Sequence, residues 1–299
     1  MKTRVIPGIT TQFHKTALAV LWWGVQTAMG LPPPLQTYFI PLPETHTYSM
    51  FEEINSATTT NIVNVISIAA NATNTLIVWD HFEDGYEADI ANPTQATTQV
   101  WGDNNNANGI PPGFGTDAIN AGTVIALRST APVPHNPANI IYDGQDKFTA
   151  TKAVAATYAA WPLSPGAVLA DAIEVVDTTR WDTNYITPVG TNVAASSQFF
   201  QYSALSIMAG AAATVVRVDP DADGVFELTN TLNAGEAWLV DSGINAGAQV
   251  VSTKPVQVAL LTGDLNSTYE ARWFNLTPVS RWCYCGIVPV TTTSGGDPV

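Results

Sequence analysis

Two stretches of this 299-residue sequence share one pattern: residues 66–85 read ISIAANATNTLIVWDHFEDG, and residues 205–224 read LSIMAGAAATVVRVDPDADG. They align without a gap, and both end in an acidic turn closed by glycine. In each stretch, two runs rich in β-branched residues flank a short segment of small residues, which is typical of two strands joined by a turn. A repeat of this kind indicates a duplicated unit built from short strands.

A second block supports the repeat, because Ile119-Asn-Ala-Gly122 and Ile244-Asn-Ala-Gly247 each lead into a further β run. Other such runs cover residues 122–128, 167–177, 213–218, 236–241 and 255–261. Many short strands punctuated by Gly, Asn, Asp and Pro predict a mainly β protein with two tandem, internally duplicated β-sandwich-like domains. Short helices are expected only near residues 50–55 and 152–160.

The domain organisation follows from composition along the chain. Basic residues near the start, an apolar stretch over residues 16–28 and small residues at Ala28 and Gly30 indicate a signal peptide. The predicted segments are 1–30 as signal peptide, 31–190 as a first β-sandwich domain with a long loop insertion, 191–290 as a second β-sandwich domain, and 291–299 as a linker or cut end.

The charge balance excludes nucleic acid as a partner, and other features of the sequence predict an extracellular site. There are 11 basic and 25 acidic residues, giving a net charge of −14, so the Lys and Arg clusters that nucleic acid requires are absent. No later segment is apolar for long enough to cross a membrane, so no span is expected in the mature chain. Sequons at Asn71, Asn266 and Asn275 predict glycosylation in a eukaryotic secretory route, and the chain is expected to be secreted or at the cell surface.

The acidic turn of the second stretch resembles the first half of a calcium loop. Residues 219–227 read DPDADGVFE, with carboxylates at alternate positions and a glycine where the chain must turn sharply. The predicted metal ligands here are Asp219, Asp221, Asp223 and Glu227. An EF-hand would need Glu where Asn230 stands and helices on both sides, so the alternatives are a calcium-binding β-turn loop and an acidic hairpin turn exposed to water.

The acidic turn of the first stretch is denser. Residues 80–89 read DHFEDGYEAD, and five carboxylates this close repel one another unless they are solvated, protonated or bound to a cation. Asp80 and Asp84 are predicted as further metal ligands. The predicted ligand-contact residues, which combine acids with aromatic rings, are Trp79, Phe82, Glu83, Tyr86, Glu87, Asp89 and Trp101. The alternative for the aromatic residues is packing in the core.

Catalytic motifs are scarce. The sequence has no G-x-S-x-G elbow and no H-E-x-x-H motif, and its four histidines are isolated from one another. A glycosidase would need two carboxylates at a set distance, for which the acidic cluster supplies candidates. No catalytic residues are assigned, and the chain is not expected to be an enzyme.

Several motifs resemble a family of large, bacterial-type secreted or surface proteins. They are Tyr38-Phe-Ile-Pro-Leu-Pro-Glu44, Val78-Trp-Asp-His-Phe-Glu-Asp-Gly-Tyr-Glu-Ala-Asp89, Thr97-Thr-Gln-Val-Trp-Gly-Asp103, Ile141-Tyr-Asp-Gly-Gln-Asp146 and Lys254-Pro-Val-Gln-Val258. The last part, with Gly235-Glu-Ala-Trp238, is similar to the N-terminal domain of IgGFc-binding proteins. The resemblance implies an extracellular β-sandwich module of a larger surface protein, with adhesive or matrix roles and no catalytic residues.

These observations predict an extracellular or cell-surface binding module of the adhesion type, with a glycan or protein partner and calcium as a candidate stabilising ion. One alternative is a purely structural repeat domain of a surface layer or cell wall. Another alternative is a carbohydrate-active enzyme that uses the acidic cluster.

Overall fold

The computed structural model describes residues 35–193 and 198–283, which belong to one compact unit. The predicted signal peptide at 1–30 and the linker at 291–299 lie outside the described residues. The predicted boundary near residue 190 stays a prediction.

The described chain is mainly β, as the sequence predicts. Its first half contains β1 (Gln36–Phe39), α1 (Glu44–Ile54), β2 (Asn61–Ala70), β3 (Ile77–Asp80), β4 (Gln99–Trp101), β5 (Val124–Pro132), β6 (Lys147–Ala150), β7 (Val154–Pro162) and β8 (Asp171–Glu174). Its second half contains β9 (Asp182–Ile186), β10 (Tyr202–Ala209), β11 (Thr214–Asp219), β12 (Leu228–Leu232), β13 (Ala237–Val240), β14 (Gln249–Asp264) and β15 (Glu270–Asn275). Short 3-10 helices cover Ala167–Leu169, Thr178–Arg180, Gln198–Phe200 and Val279–Arg281.

The strands of the first half form two antiparallel four-stranded sheets, in the orders β1-β6-β3-β4 and β5-β2-β7-β8. In the second half, β9 and β11 pair with the first part of β14, and β12 pairs with β11. Strands β10 and β15 pair with the last part of β14, and β13 pairs with β10. The 16-residue β14 therefore joins the two groups of strands, and the second half is one seven-stranded sheet.

The two halves share one pairing scheme. Ile77 pairs with Ala150 between β3 and β6, and Val216 pairs with Ser252 between β11 and β14. The scheme extends over the other strands. In it, β1 corresponds to β9, β2 to β10, β4 to β12 and β5 to β13. Strand β7 corresponds to the last part of β14, and β8 corresponds to β15. Residues that hold the same place in both schemes are called equivalent below.

The hydrogen bonds correct one predicted alignment. The Gly122 amide donates to Ala70 O at 2.8 Å, and the Gly235 amide donates to Ala209 O at 2.7 Å. Residues 120–122 are therefore equivalent to 233–235, not to 245–247 as the second block suggested. The Asn-Ala-Gly triplet occurs three times in the sequence, and only the pairing identifies the matching copies.

The helix predictions have mixed outcomes. Near residues 50–55 the structure has the end of α1, whose buried face carries Met50, Phe51 and Ile54. Near residues 152–160 the helix prediction is wrong, because these residues enter β7, where buried and less buried positions alternate. Alanine favours helices in isolation, but pairing with β2 on one side and β8 on the other overrides that preference.

The main core draws on both halves. Trp79 stacks on Phe148 with ring centroids 5.5 Å apart, and Tyr158 stacks on Trp273 at 6.2 Å. Each large apolar side chain removed from water contributes about 1.5–3 kcal/mol, so these rings are major sources of stability. A second cluster fills the interior of the second half and includes Val216.

Candidate functional site

The acidic loop after β3 begins with a buried ion pair. Asp80 is fully buried, and its carboxylate lies 2.7 Å from Lys147 Nζ on the paired strand β6. The same carboxylate accepts the Glu87 amide at 3.0 Å. The Asp80 carboxylate thus joins the two ends of the loop, and Lys147 compensates its charge. These two contacts order residues 80–87.

A second buried pair lies beside the first. His81 Nδ1 is 3.1 Å from Asp146 Oδ2, and Asp146 also accepts hydrogen bonds from Trp79 Nε1 at 3.0 Å and the Phe82 amide at 3.2 Å. Burial raises the pKa of Asp146 to about 6, against the lowering effect of His81. Burial alone would lower the pKa of His81, but the hydrogen bond and charge of Asp146 raise it above its ordinary value.

Next to these pairs is a cavity of about 290 Å³ whose lining includes Glu44, Glu83, His135 and Asp143. One ligand atom each from Glu44, His135 and Asp143 lies within 4.8 Å of the other two, and His81, Glu83 and Asp146 form a second such group. Burial raises the pKa of Asp143 to about 10, and nearby carboxylates add to the effect. Among the described residues of the first half, these are the groups whose ligand atoms lie close enough together to hold a metal ion.

The predicted ligand-contact aromatics divide by exposure. Trp79 and Trp101 are fully buried and stack with centroids 5.7 Å apart, so their position does not support contact with a ligand from solvent. Phe82 and Tyr86 are half-buried. The Tyr86 hydroxyl donates to Gln145 O, which ties the acidic loop to the turn before β6.

The remaining predicted acids of this loop are engaged in local structure. The buried Glu87 carboxylate accepts the amides of Thr94 and Gln95, which lower its pKa despite the opposing effect of burial. Asp84 is exposed and accepts a hydrogen bond from Thr97, and the exposed Asp89 accepts the Ala91 amide. Among the described residues, neither Asp80 nor Asp84 joins a group of converging metal ligands, so their metal role is unsupported by geometry.

The acidic turn of the second half does bring its predicted ligands together. Ligand atoms of Asp219, Asp221, Asp223 and Glu227 lie within 4.8 Å of one another. Asp219 is fully buried and accepts the Ala222 amide at 2.8 Å and the Gly224 amide at 2.9 Å, whereas the other three acids are exposed. Asp219 therefore closes its own turn, as Asp80 does, and calcium binding stays a prediction.

An apolar groove of about 580 Å³ lies where the acidic loop meets the second half. Phe39, Tyr86 and Trp181 supply aromatic walls, and the ring centroids of Tyr86 and Trp181 each lie 5.6 Å from that of Phe39. Ala88 and Ala234 line the same groove from the two halves. This is a concave surface of the kind that accepts a side chain or short segment of a partner.

The two buried ion pairs and the acids and histidine of the adjacent cavity are called the charged cluster below. Sequence reasoning missed six of its residues. They are Glu44, His81, His135, Asp143, Asp146 and Lys147. One usable signal was the Asp-Gly-Gln-Asp-Lys run at 143–147, which concentrates charge in a chain that has little of it. The pairing of β3 with β6 brings that run to the acidic loop, and no local pattern reveals this pairing.

The predicted glycosylation sites differ in access. Asn71 and Asn266 are exposed. The Asn275 side chain donates to Glu174 O at 2.7 Å and accepts from Gln257 at 3.0 Å. A glycan on Asn275 would disrupt these contacts, whereas Asn71 and Asn266 remain open to modification.

Comparisons with known proteins point to one family. In the described part of the chain, no helix combines the length and apolar character needed to cross a membrane. No curated protein and no solved structure matches the chain. The model of the family described as IgGFc binding protein matches residues 172–296, which cover β9–β15. For this part of the chain, the resemblance to the IgGFc binding protein family is confirmed.

Proposed function

We propose that the chain is an extracellular, non-catalytic binding module of the adhesion type with a protein partner. The observation that carries this proposal is the family match over residues 172–296. The low share of charged residues, 12%, and the predicted signal peptide support an extracellular site. Asp80 and Asp146 are engaged in ion pairs and Glu87 closes a turn, which supports a structural role for these three acids.

The aromatic groove is the proposed contact surface. Part of its lining, including Trp181 and Ala234, belongs to the matched segment, and Tyr86 comes from the acidic loop. Aromatic residues are enriched where protein partners bind, because they bury a large area at low entropic cost. An apolar or aromatic side chain of the partner would insert between Phe39, Tyr86 and Trp181.

The test uses the Fc fragment of immunoglobulin G as probe, with binding to the immobilised full chain followed by surface plasmon resonance. Ala88→Arg and Ala234→Arg place a bulky charge in the groove from either half. Ala155→Arg, on an exposed position of β7 outside the groove, is the matched control. We expect saturable binding that both groove variants weaken at least about tenfold, or about 1.4 kcal/mol, while the control keeps it.

Absence of saturable Fc binding would overturn the immunoglobulin form of the proposal. Binding that both groove variants retain would place the contact on another surface. A glycan array is the parallel assay, and a specific glycan signal without Fc binding would favour the carbohydrate partner.

Calcium binding at the second acidic turn is a separate proposal, supported by the convergence of Asp219, Asp221, Asp223 and Glu227. Coordination would relieve the mutual repulsion of these carboxylates. Calorimetric titration of the chelator-treated protein with calcium should give heat that the Asp221→Asn/Asp223→Asn variant abolishes. No heat, together with an unchanged melting temperature, would leave the turn as a solvated hairpin.

A further inference from the structure

Three segments of the chain meet at the cavity beside the buried ion pairs. Glu44 begins α1, Glu83 lies in the acidic loop, His135 follows β5, and Asp143 precedes β6. Glu44 and Asp143 are 6% and 2% exposed, and the Glu83 side chain is 5% exposed. Three carboxylates are thus removed from water around one small space.

The two ring nitrogens of His135 each face an oxygen atom. Its Nε2 lies 2.9 Å from Asn139 O, and because a carbonyl only accepts, Nε2 carries the proton of this hydrogen bond. The same ring orientation turns Nδ1 toward Asp143 Oδ2, 3.4 Å away. Within the described residues, Asp143 Oδ2 has no hydrogen-bond partner. A proton or a metal cation beside Nδ1 and Oδ2 would satisfy both atoms.

Glu83 presents a second unpaired oxygen. Its Oε1 accepts the Ile141 amide at 3.1 Å, whereas its buried Oε2 has no hydrogen-bond partner in the described part of the chain. Of the neighbouring basic side chains, Lys147 pairs with Asp80 and His81 with Asp146, and His135 Nε2 lies 3.8 Å from Glu83 Oε1 rather than at Oε2. Leaving a buried acceptor unsatisfied costs about 1–3 kcal/mol, and more for a charged group.

The second half contains the same backbone arrangement. The Ile40 amide donates to Asp146 O at 2.8 Å, and the Thr187 amide donates to Ala248 O at 3.0 Å. The Gln145 amide donates to Ile40 O, just as the amide of residue 247 donates to Thr187 O, both at 2.9 Å. Counted along the chain from these bonds, Glu44 is equivalent to Thr191, and Asp143 is equivalent to Asn245.

The equivalent pair shows that the fold does not need carboxylates at these places. Thr191 Oγ1 donates to Asn245 Oδ1 at 3.0 Å, so a neutral hydrogen bond joins the two segments in the second half. In the first half, Glu44 and Asp143 place two acidic groups there instead.

We propose that Glu44, His135 and Asp143, with Glu83 as a fourth donor, bind a divalent first-row transition cation, for which Zn²⁺ is the test ion. Imidazole nitrogen together with carboxylate oxygen suits such ions, whereas Ca²⁺ takes oxygen ligands. A ligating histidine normally donates its other ring nitrogen to a carbonyl or carboxylate, as His135 does to Asn139. The ion would supply the positive charge that the three carboxylates lack.

The ion would hold three segments of the chain together. It would fix the start of α1, the acidic loop and the connection between β5 and β6 in one arrangement, and it would add its binding free energy to folding. This inference is independent of the proposed partner, because it concerns only the stability and order of the first half.

The experiment uses the purified full chain after chelator treatment and dialysis, titrated calorimetrically with ZnCl₂ and, separately, with CaCl₂. We expect one high-affinity Zn²⁺ per chain and a rise in melting temperature with Zn²⁺. Asp143→Asn should weaken Zn²⁺ binding at least about 100-fold, since loss of a ligand exceeds the effect of losing an outer-shell partner. Asp221→Asn/Asp223→Asn is the matched control and should leave Zn²⁺ binding unchanged.

A double variant, Glu44→Thr/Asp143→Asn, copies the neutral pair of the second half and is expected to fold. Its melting temperature should not respond to Zn²⁺. His135→Gln, at a surface loop, gives a second test that leaves the carboxylates in place. The proposal is overturned if wild-type protein shows neither Zn²⁺ heat nor a melting shift, if Asp143→Asn and His135→Gln bind Zn²⁺ as tightly as wild type, or if Ca²⁺ competes equally for the site.

Discussion

At the scale of single residues, Asp80 and Asp219 show how equivalent acids are used differently. Both are fully buried at the end of a strand, and both accept backbone amides of the turn that follows. Asp80 has Lys147 at 2.7 Å, whereas Gln249 is the residue equivalent to Lys147. The turn-closing role is therefore common to both halves, and the buried ion pair is particular to the first.

Removing Lys147 should destabilise the protein strongly. Lys147→Met leaves the buried Asp80 without its cation, and loss of one partner of a buried pair costs about 3–5 kcal/mol. Urea denaturation measures this cost. Lys152→Met removes an exposed lysine and should cost less than about 1 kcal/mol. Adding Asp80→Asn to Lys147→Met should recover part of the loss, and equal costs for both lysines would contradict the ion-pair role.

The sequence identifies only part of the candidate site. The acids at 80–89 are visible as a local run, and Asp80 and Glu83 do lie in the charged cluster. Glu44, His135 and Asp143 lie far from the acidic run in sequence, and they converge because β6 pairs with β3 and because Gly144 packs against the segment before α1. The burial of Trp79 and Trp101 was not predictable from the sequence either, because an aromatic residue next to acids in sequence is typical both of a core and of a binding surface.

At the scale of elements, α1 is joined to the second half by a buried histidine and by apolar packing. His46 Nδ1 lies 2.8 Å from Ser206 Oγ on β10, and Met50 and Phe51 on the same helix enter the main core. The helix itself was predictable near its end from the polar and apolar pattern. Its start at Glu44 follows Pro43, whose fixed backbone angle suits the residue before a helix.

His46 should make stability depend on pH. Burial lowers the pKa of His46 to about 4, from about 6.5 when the chain is unfolded. The unfolded state therefore binds more protons between these values, so stability is full above about pH 6.5 and falls as the pH drops toward 4. The loss amounts to about 3 kcal/mol. His46→Gln should remove it, measured as the difference in unfolding free energy between variant and wild type at each pH.

This difference cancels the titration of all other groups, which the two proteins share. A difference that stays constant between pH 4 and 6.5 would contradict the buried neutral state of His46.

At the scale of the whole molecule, the acidic loop of the first half docks on a turn of the second. Gln145 Nε2 donates to Gly235 O at 2.9 Å, and Tyr86 packs against Gly235. Gly235 has φ +78°, and a Cβ there would lie 1.9 Å from the Tyr86 hydroxyl. The mainly β architecture was predictable from the strand pattern, but this contact depends on the packing of distant segments and leaves no trace in local sequence.

Gly235→Ala should therefore cost more than its backbone strain alone. Gly243→Ala is the matched control, because Gly243 has φ +71° and nothing within 4 Å of its added Cβ. The control should lose about 1 kcal/mol, and Gly235→Ala should lose about 1–3 kcal/mol more through overpacking. In a Tyr86→Ala background the extra loss should vanish, and its persistence would show that Tyr86 is not the clashing group.

The continuous β14 has a mechanical consequence. Ladder hydrogen bonds run perpendicular to their strands, so a force along β14 loads its pairings with β9, β10, β11 and β15 in shear, many bonds at once. In the first half, the break between β6 and β7 divides the same load between two shorter strands. Tension applied along these strands would therefore extend the first half before the second.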